Sequence, residues 1–145
     1  MSAAERAALD AWLTPAQAEL FGSMPPADQR HGLDVEATLR AQGATDPELL
    51  LAGLLHDAGK GRTVGLGPRV AWSLGERYGA WVWRLARTIP GFGPALDRLR
   101  DHAALSASLA AAAGCAPRTV ELIRNQAAPI DPEAGLRLRV ADEAN

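Results

Sequence analysis

Lysine is almost missing from this chain. Of its 15 basic residues fourteen are arginine, and the only lysine is Lys60. Cysteine is as scarce. Cys115 stands alone, which excludes an internal disulfide framework and fits a reducing cytoplasm. Aromatic residues make up 5% and β-branched residues are few, which disfavours sheet and favours helix. A net charge of −2 gives no broad electrostatic case for nucleic acid or an anionic membrane. No apolar run approaches the ~18–20 residues of a membrane span. Met1 to Asp10 has no apolar central region, so no signal peptide is expected there.

What is plentiful is alanine and leucine, within a hydrophobic share of 48%. A chain of 145 residues is expected to form one domain with a real core. The pattern reads as helices broken by proline and glycine. Ala3 to Leu13 is a first amphipathic helix. Thr14-Pro15 places an N-cap before a proline at the first helical position, opening a short helix to about Phe21. Pro25-Pro26 starts a helix that carries His31 and stops near Gly43. Thr45-Asp46-Pro47-Glu48 reads as a capping box for a very apolar helix, Leu49 to Ala58.

Four glycines and a proline make Gly59 to Pro68 a loop by expectation. A helix from Arg69 to about Thr88 follows, with a break at Gly79. Pro90 to Pro94 is a second breaker. Further helices are expected over Ala95–Ala113, Pro117–Gln126 and Pro132–Glu143. Leu105 and Leu109 keep helical spacing in the alanine-rich run, which argues for a packed helix there.

All three histidines fall at informative places. His56 is followed by Asp57 at the end of the apolar helix, within Leu54-Leu55-His56-Asp57-Ala58-Gly59-Lys60. His31 lies one helix upstream, and Asp142 closes the last helix. By periodicity His31 shares a face with Val35 and Leu39, His56 with Ala52 and Leu49, His102 with Leu105, Ser106 and Leu109, and Asp142 with Leu138, so all four are expected to face inward. An inward carboxylate calls for a cation. Neighbours on a helix diverge by ~100°. His56 and Asp57 can still reach one ion that sits off the helix end, where the chain turns at Gly59 and the helix dipole favours a cation. Taken singly, each residue has an ordinary alternative. An inward histidine can be a hydrogen-bonded core residue, and Asp142 a surface acid on a frayed last turn.

The spacing His31 … His56-Asp57 … Asp142 resembles the HD-domain metal-dependent phosphohydrolase superfamily, and the likeness runs from Asp28-Gln29-Arg30-His31 to Val140-Ala141-Asp142. The resemblance implies a compact, single-domain, all-α multi-helix bundle of HD type, with a core over about 25–143 and residues 1–22 as an N-terminal helical extension. It implies that His31, His56, Asp57 and Asp142 bind one divalent transition metal: Mn²⁺, Fe²⁺, Co²⁺, Ni²⁺ or Zn²⁺. Many relatives follow an Ile-Arg with His-His, where this chain has Asn125-Gln126. Only His102 is left for a second metal, so one metal is expected. A Gly-Tyr-Pro motif of the cyclic-dinucleotide phosphodiesterase branch is absent.

The expected reaction is hydrolysis of a nucleotide or other small phosphate ester through a metal-bound hydroxide. Asp57 would handle the proton, and Lys60 would neutralise phosphoryl charge. His102 would be an outer-shell partner or leaving-group acid. Arg62 and Arg69 would help Lys60 hold the substrate. Other readings are a non-catalytic HD-like module that binds a nucleotide or partner protein, and a helical scaffold with a structural metal. Trp72, Trp81 and Trp83 fall in one region that suits a homodimer face.

Overall fold

A computed structural model describes residues 1–61 and 64–145, with backbone alone at residue 66. Its regular structure is entirely helical among the described residues. The elements are α1 (Ala3–Asp10), α2 (Pro15–Ser23), α3 (Pro26–Ala41), α4 (Pro47–Leu55), α5 (Leu66–Tyr78), α6 (Ala80–Ala86), α7 (Phe92–Ala112), α8 (Pro117–Arg124) and α9 (Ala134–Glu143). No described helix is long and apolar enough to cross a membrane.

The chain punctuates itself locally. Thr14 and Gln17 form a reciprocal capping box at α2, followed by Pro15 in the first turn. At α4 the cap is Asp46 rather than Thr45: its carboxylate accepts from the Glu48 N–H at 3.0 Å. Asp131 accepts from the N–H groups of Glu133 and Ala134 at the start of α9. Gly79 has φ 104°, a conformation that suits glycine, and breaks α5 from α6 where the sequence suggested.

Two expected loops are shorter than their glycines and prolines imply. Helix α5 begins at Leu66 and α7 at Phe92, so Pro68 and Pro94 sit in first turns. The first N–H groups of a helix have no partner within it, so a proline there forfeits no helical bond.

Helix α4 is the centre of the molecule. Leu49 through Leu55 are all buried, and α4 packs against α2, α3, α8 and α9. Leu9, Leu13, Phe21 and Met24 belong to the same main core. Helices α5 and α6 pack on each other and on α7, around a smaller core of Ala71, Ala86 and Leu96 flanked by Trp72, Trp83 and Phe92. Beyond Leu96 and Leu99, the buried face of α7 is small: Ser106, Ala107 and Ala110 lie inside, whereas Leu105 and Leu109 are exposed, against the expected inward pair. Small side chains let α7 come close to its neighbours, and Gly59 shows how close. A Cβ there would lie 2.4 Å from the His102 carbonyl oxygen.

Candidate metal centre

Three helix ends and one helix middle bring the chemistry together. His31 projects from the second turn of α3. Helix α4 stops at Leu55, so His56 caps it and Asp57 lies in the turn beyond. Asp142 lies in the last turn of α9. His31 Nε2 and His56 Nε2 both approach Asp142 Oδ1, at 2.8 and 3.2 Å. The two imidazoles meet edge to face with centroids 5.2 Å apart. One donor atom from each of His31, His56 and Asp142 lies within 4.8 Å of the other two.

Asp57 is adjacent to this trio but outside the tight set. Its Oδ1 is 3.5 Å from His56 Nε2, and its Oδ2 is 3.9 Å from His31 Nε2. Oδ2 is taken by the Lys60 ammonium, one turn on. Oδ1 is buried and has no hydrogen-bond partner among the described residues. A bare buried carboxylate oxygen is costly. Here it lies among neutralisable imidazoles, which is the environment a divalent cation needs. The donor set is nitrogen and oxygen only, which suits first-row divalent ions.

Hydrogen bonds behind the donors set their aim. His56 Nδ1–H donates to the Gly53 carbonyl at 2.8 Å, turning Nε2 toward the trio. Burial alone would lower the His56 pKa, but Asp57 and Asp142 outweigh it and raise it. Burial likewise works to raise Asp57, and the His56 and Lys60 charges hold it low instead. For Asp142 burial is overcome by hydrogen bonds from His31 and His56, which push its pKa down.

His102, in the middle of α7, has Nε2 3.6 Å from Asp57 Oδ1. Its Nδ1–H donates to the Leu99 carbonyl at 2.5 Å. Burial lowers its pKa, so it is held neutral with a lone pair at Nε2. Gln126 Nε2 donates to that lone pair at 3.2 Å and also approaches the His56 carbonyl at 3.4 Å. His102 is therefore an acceptor that braces the Asp57 side of the site.

Asp57, Lys60, His102 and Asp142 open into a cavity of about 250 Å³. Arg69 reaches its wall, but its guanidinium is committed. It grips both carboxylate oxygens of buried Asp28, the second at 2.8 Å, and donates to the Val64 carbonyl at 3.2 Å. Its charge acts on the cavity; its fork is not free for a phosphate. Arg62 lies outside the described residues. Four wall residues were missed by sequence reasoning: Trp72, Ser73 and Glu76 on α5, and Leu99 on α7. For the first three the signal was present, since they share helical spacing with Arg69. Of the three tryptophans in this region, Trp72 and Trp83 stack with centroids 4.9 Å apart, and Trp81 is exposed.

No family model matches the chain, and no curated protein or solved structure matches it either.

Proposed function

We propose that this protein is a metal-dependent phosphohydrolase of the HD-domain type, acting on a nucleotide or other small phosphate ester. The observation that supports this best is the convergence of two imidazoles on Asp142, beside a buried Asp57 oxygen that lacks a partner among the described residues. His31, His56 and Asp142 would hold one divalent ion, with Asp57 Oδ1 as the fourth donor. When bound, such an ion supplies Lewis acidity, polarising a phosphoryl oxygen and making water acidic enough to attack at neutral pH.

The chain's own residues do the rest. Lys60 sits at the cavity wall with one donor on Asp57, and an ammonium has three. The remaining two can bind the phosphoryl oxygens as they gain charge in the transition state. Asp57, aligned by Lys60 and held ionised by its surroundings, would orient the attacking water and take its proton at Oδ2, the oxygen that Lys60 also meets. Arg69 adds positive charge to the wall without binding directly. His102 and Gln126 fix the Asp57 turn from behind.

The first test is metal per chain by elemental analysis, after purification without chelator, in wild type and Asp57→Ala. About one transition metal, lost in the variant, supports the centre. A phosphatase panel with Mn²⁺, Co²⁺ or Ni²⁺ then tests turnover. A wild type that binds no metal even after reloading, or binds it and hydrolyses nothing, refutes the proposal.

A further inference from the structure

Helix α5 turns a polar face to the cavity. Arg69, Trp72, Ser73 and Glu76 are spaced i, i+3, i+4 and i+7, which is one side of a helix, and all four line the cavity that holds Asp57 and Lys60. Arg69 is locked to Asp28, which leaves Trp72, Ser73 and Glu76 to meet a ligand. A carboxylate only accepts hydrogen bonds and repels a phosphate. Glu76 is therefore misplaced for holding a phosphate chain. The cavity is polarised: Lys60 suits the phosphoryl group, and Glu76 suits a group that donates.

Trp72 lies one helical turn before Glu76. One face of its indole is stacked on Trp83, with the planes 21° apart. Trp83 Nε1–H donates to the Trp72 carbonyl at 3.2 Å. Gly75 leaves no room for a Cβ against the same Trp83 ring, which would come within 1.9 Å. The indole is thus fixed by Trp83 and the small core, and part of it lines the cavity. A fixed aromatic ring beside a carboxylate recognises a planar ring bearing an amino group, or an ammonium group. At about 250 Å³ the cavity is smaller than the ~300–1,000 Å³ of sites for drug-sized ligands, which suits a small ester.

We propose that the substrate is a small phosphate monoester whose far end donates N–H to Glu76 across Trp72, and that Trp72 and Glu76 set specificity. This rests on the phosphohydrolase reading above. The donor can come from the amino group of a nucleobase or from an aliphatic ammonium.

Two matched pairs of esters separate the sources. The full chain, reloaded with Mn²⁺, is titrated calorimetrically with cytidine monophosphate against uridine monophosphate, and with phosphoethanolamine against glycerol phosphate. Phosphate release is followed on the same samples. In one pair the amine-bearing member binds roughly tenfold tighter or more, the scale of one charge-assisted hydrogen bond. Discrimination in the first pair assigns a nucleobase; in the second, an ammonium. Glu76→Gln brings that ratio toward one. Trp72→Ala weakens both members of the pair, and Trp72→Phe restores them. Equal binding within both pairs overturns the inference even if all four esters are hydrolysed. So does a ratio unchanged in Glu76→Gln when that variant melts like wild type. Discrimination without any phosphate release keeps the recognition wall and overturns the phosphohydrolase reading instead.

Discussion

Gly32 lets two site-bearing helices touch, and replacing it tests how the centre is built. A Cβ there would lie 2.5 Å from the Leu54 carbonyl oxygen and 3.3 Å from its carbonyl carbon. Both are backbone atoms, so α4 cannot yield by turning a side chain. Ordinary contact begins at 3.4 Å, so Gly32→Ala requires α3 and α4 to part by about 3.4 − 2.5 = 0.9 Å. His31 is the preceding residue on α3, and His56 follows Leu54 by two. The displacement therefore acts directly on an imidazole pair whose centroids are 5.2 Å apart. Overpacking of this kind costs about 1–3 kcal/mol. At roughly 4 °C per kcal/mol for a domain of this size, Tm falls about 4–12 °C. Metal binding suffers as well, because ligand distances tolerate only about 0.2 Å. Melts in excess chelator read stability, and elemental analysis after Mn²⁺ reloading reads the centre. Gly22→Ala is the matched control: its Cβ meets nothing within 4 Å, so Tm holds or rises slightly. If Gly32→Ala melts like wild type and holds metal equally, α3 and α4 do not pack through this contact.

Lys60→Met should retain metal and lower phosphate release by about 10²-fold or more; elemental analysis beside an activity assay checks this, and loss of metal would make Lys60 structural. Adding Mn²⁺ to chelated protein should raise Tm. At 100 times Kd the gain is about 2.7 kcal/mol, and Asp142→Ala should abolish it. Gly59→Ala would place a Cβ 2.6 Å from the Ser106 nitrogen and 2.4 Å from the His102 carbonyl oxygen, so it should lower Tm and disturb the Asp57 turn. Arg30 holds the Glu5 carboxyl down from 4.5 to about 2. A depressed acid stabilises fully above its ordinary pKa and loses that contribution as pH falls through the lowered one. The α1 contact should therefore weaken between pH 4.5 and about 2, read from the amide signals of Ala3–Asp10, and Glu5→Gln should remove that dependence.

The helical architecture was legible because its punctuation is chemical. Thr14-Pro15, Asp46-Pro47 and Gly79 end or begin helices through caps, fixed φ and positive φ, and all three act so in the folded chain. The meeting of His31, His56 and Asp142 was legible in part because His56 follows the buried run Leu49–Leu55 and must end up at the buried end of α4. Other features were hidden by distance in sequence. Nothing local says that Asp28 will bind Arg69, 41 residues on, and take its fork away from any phosphate. Nor does spacing disclose that Lys60 occupies one oxygen of Asp57 and leaves the other bare. The inward reading of Leu105 and Leu109 failed for a packing reason: α7 approaches its neighbours through Ser106, Ala107 and Ala110, where small side chains allow contact between backbones.

Helix α5 shows most plainly where periodicity and function part. By spacing alone Val70, Leu74 and Tyr78 form a stripe that a helix would bury, yet all three are exposed. Trp81, Leu85 and Ile89 repeat that spacing on α6 and just beyond it, and are exposed too. Residues 70, 74 and 78 lie about 100° around the helix from 69, 73 and 77, so a roll of that size would be needed to exchange the two faces. It would also carry Ser73 and Glu76 away from the cavity. Two contacts oppose the roll: the Trp83 ring seated on Gly75, and the Arg69 fork on buried Asp28. Both also shape the cavity wall. A helix selected for stability alone would hide its apolar stripe. Here α5 leaves that stripe exposed and keeps Trp72 and Glu76 on the cavity that Asp57 and Lys60 also line, a departure from local consistency that agrees with the proposed function.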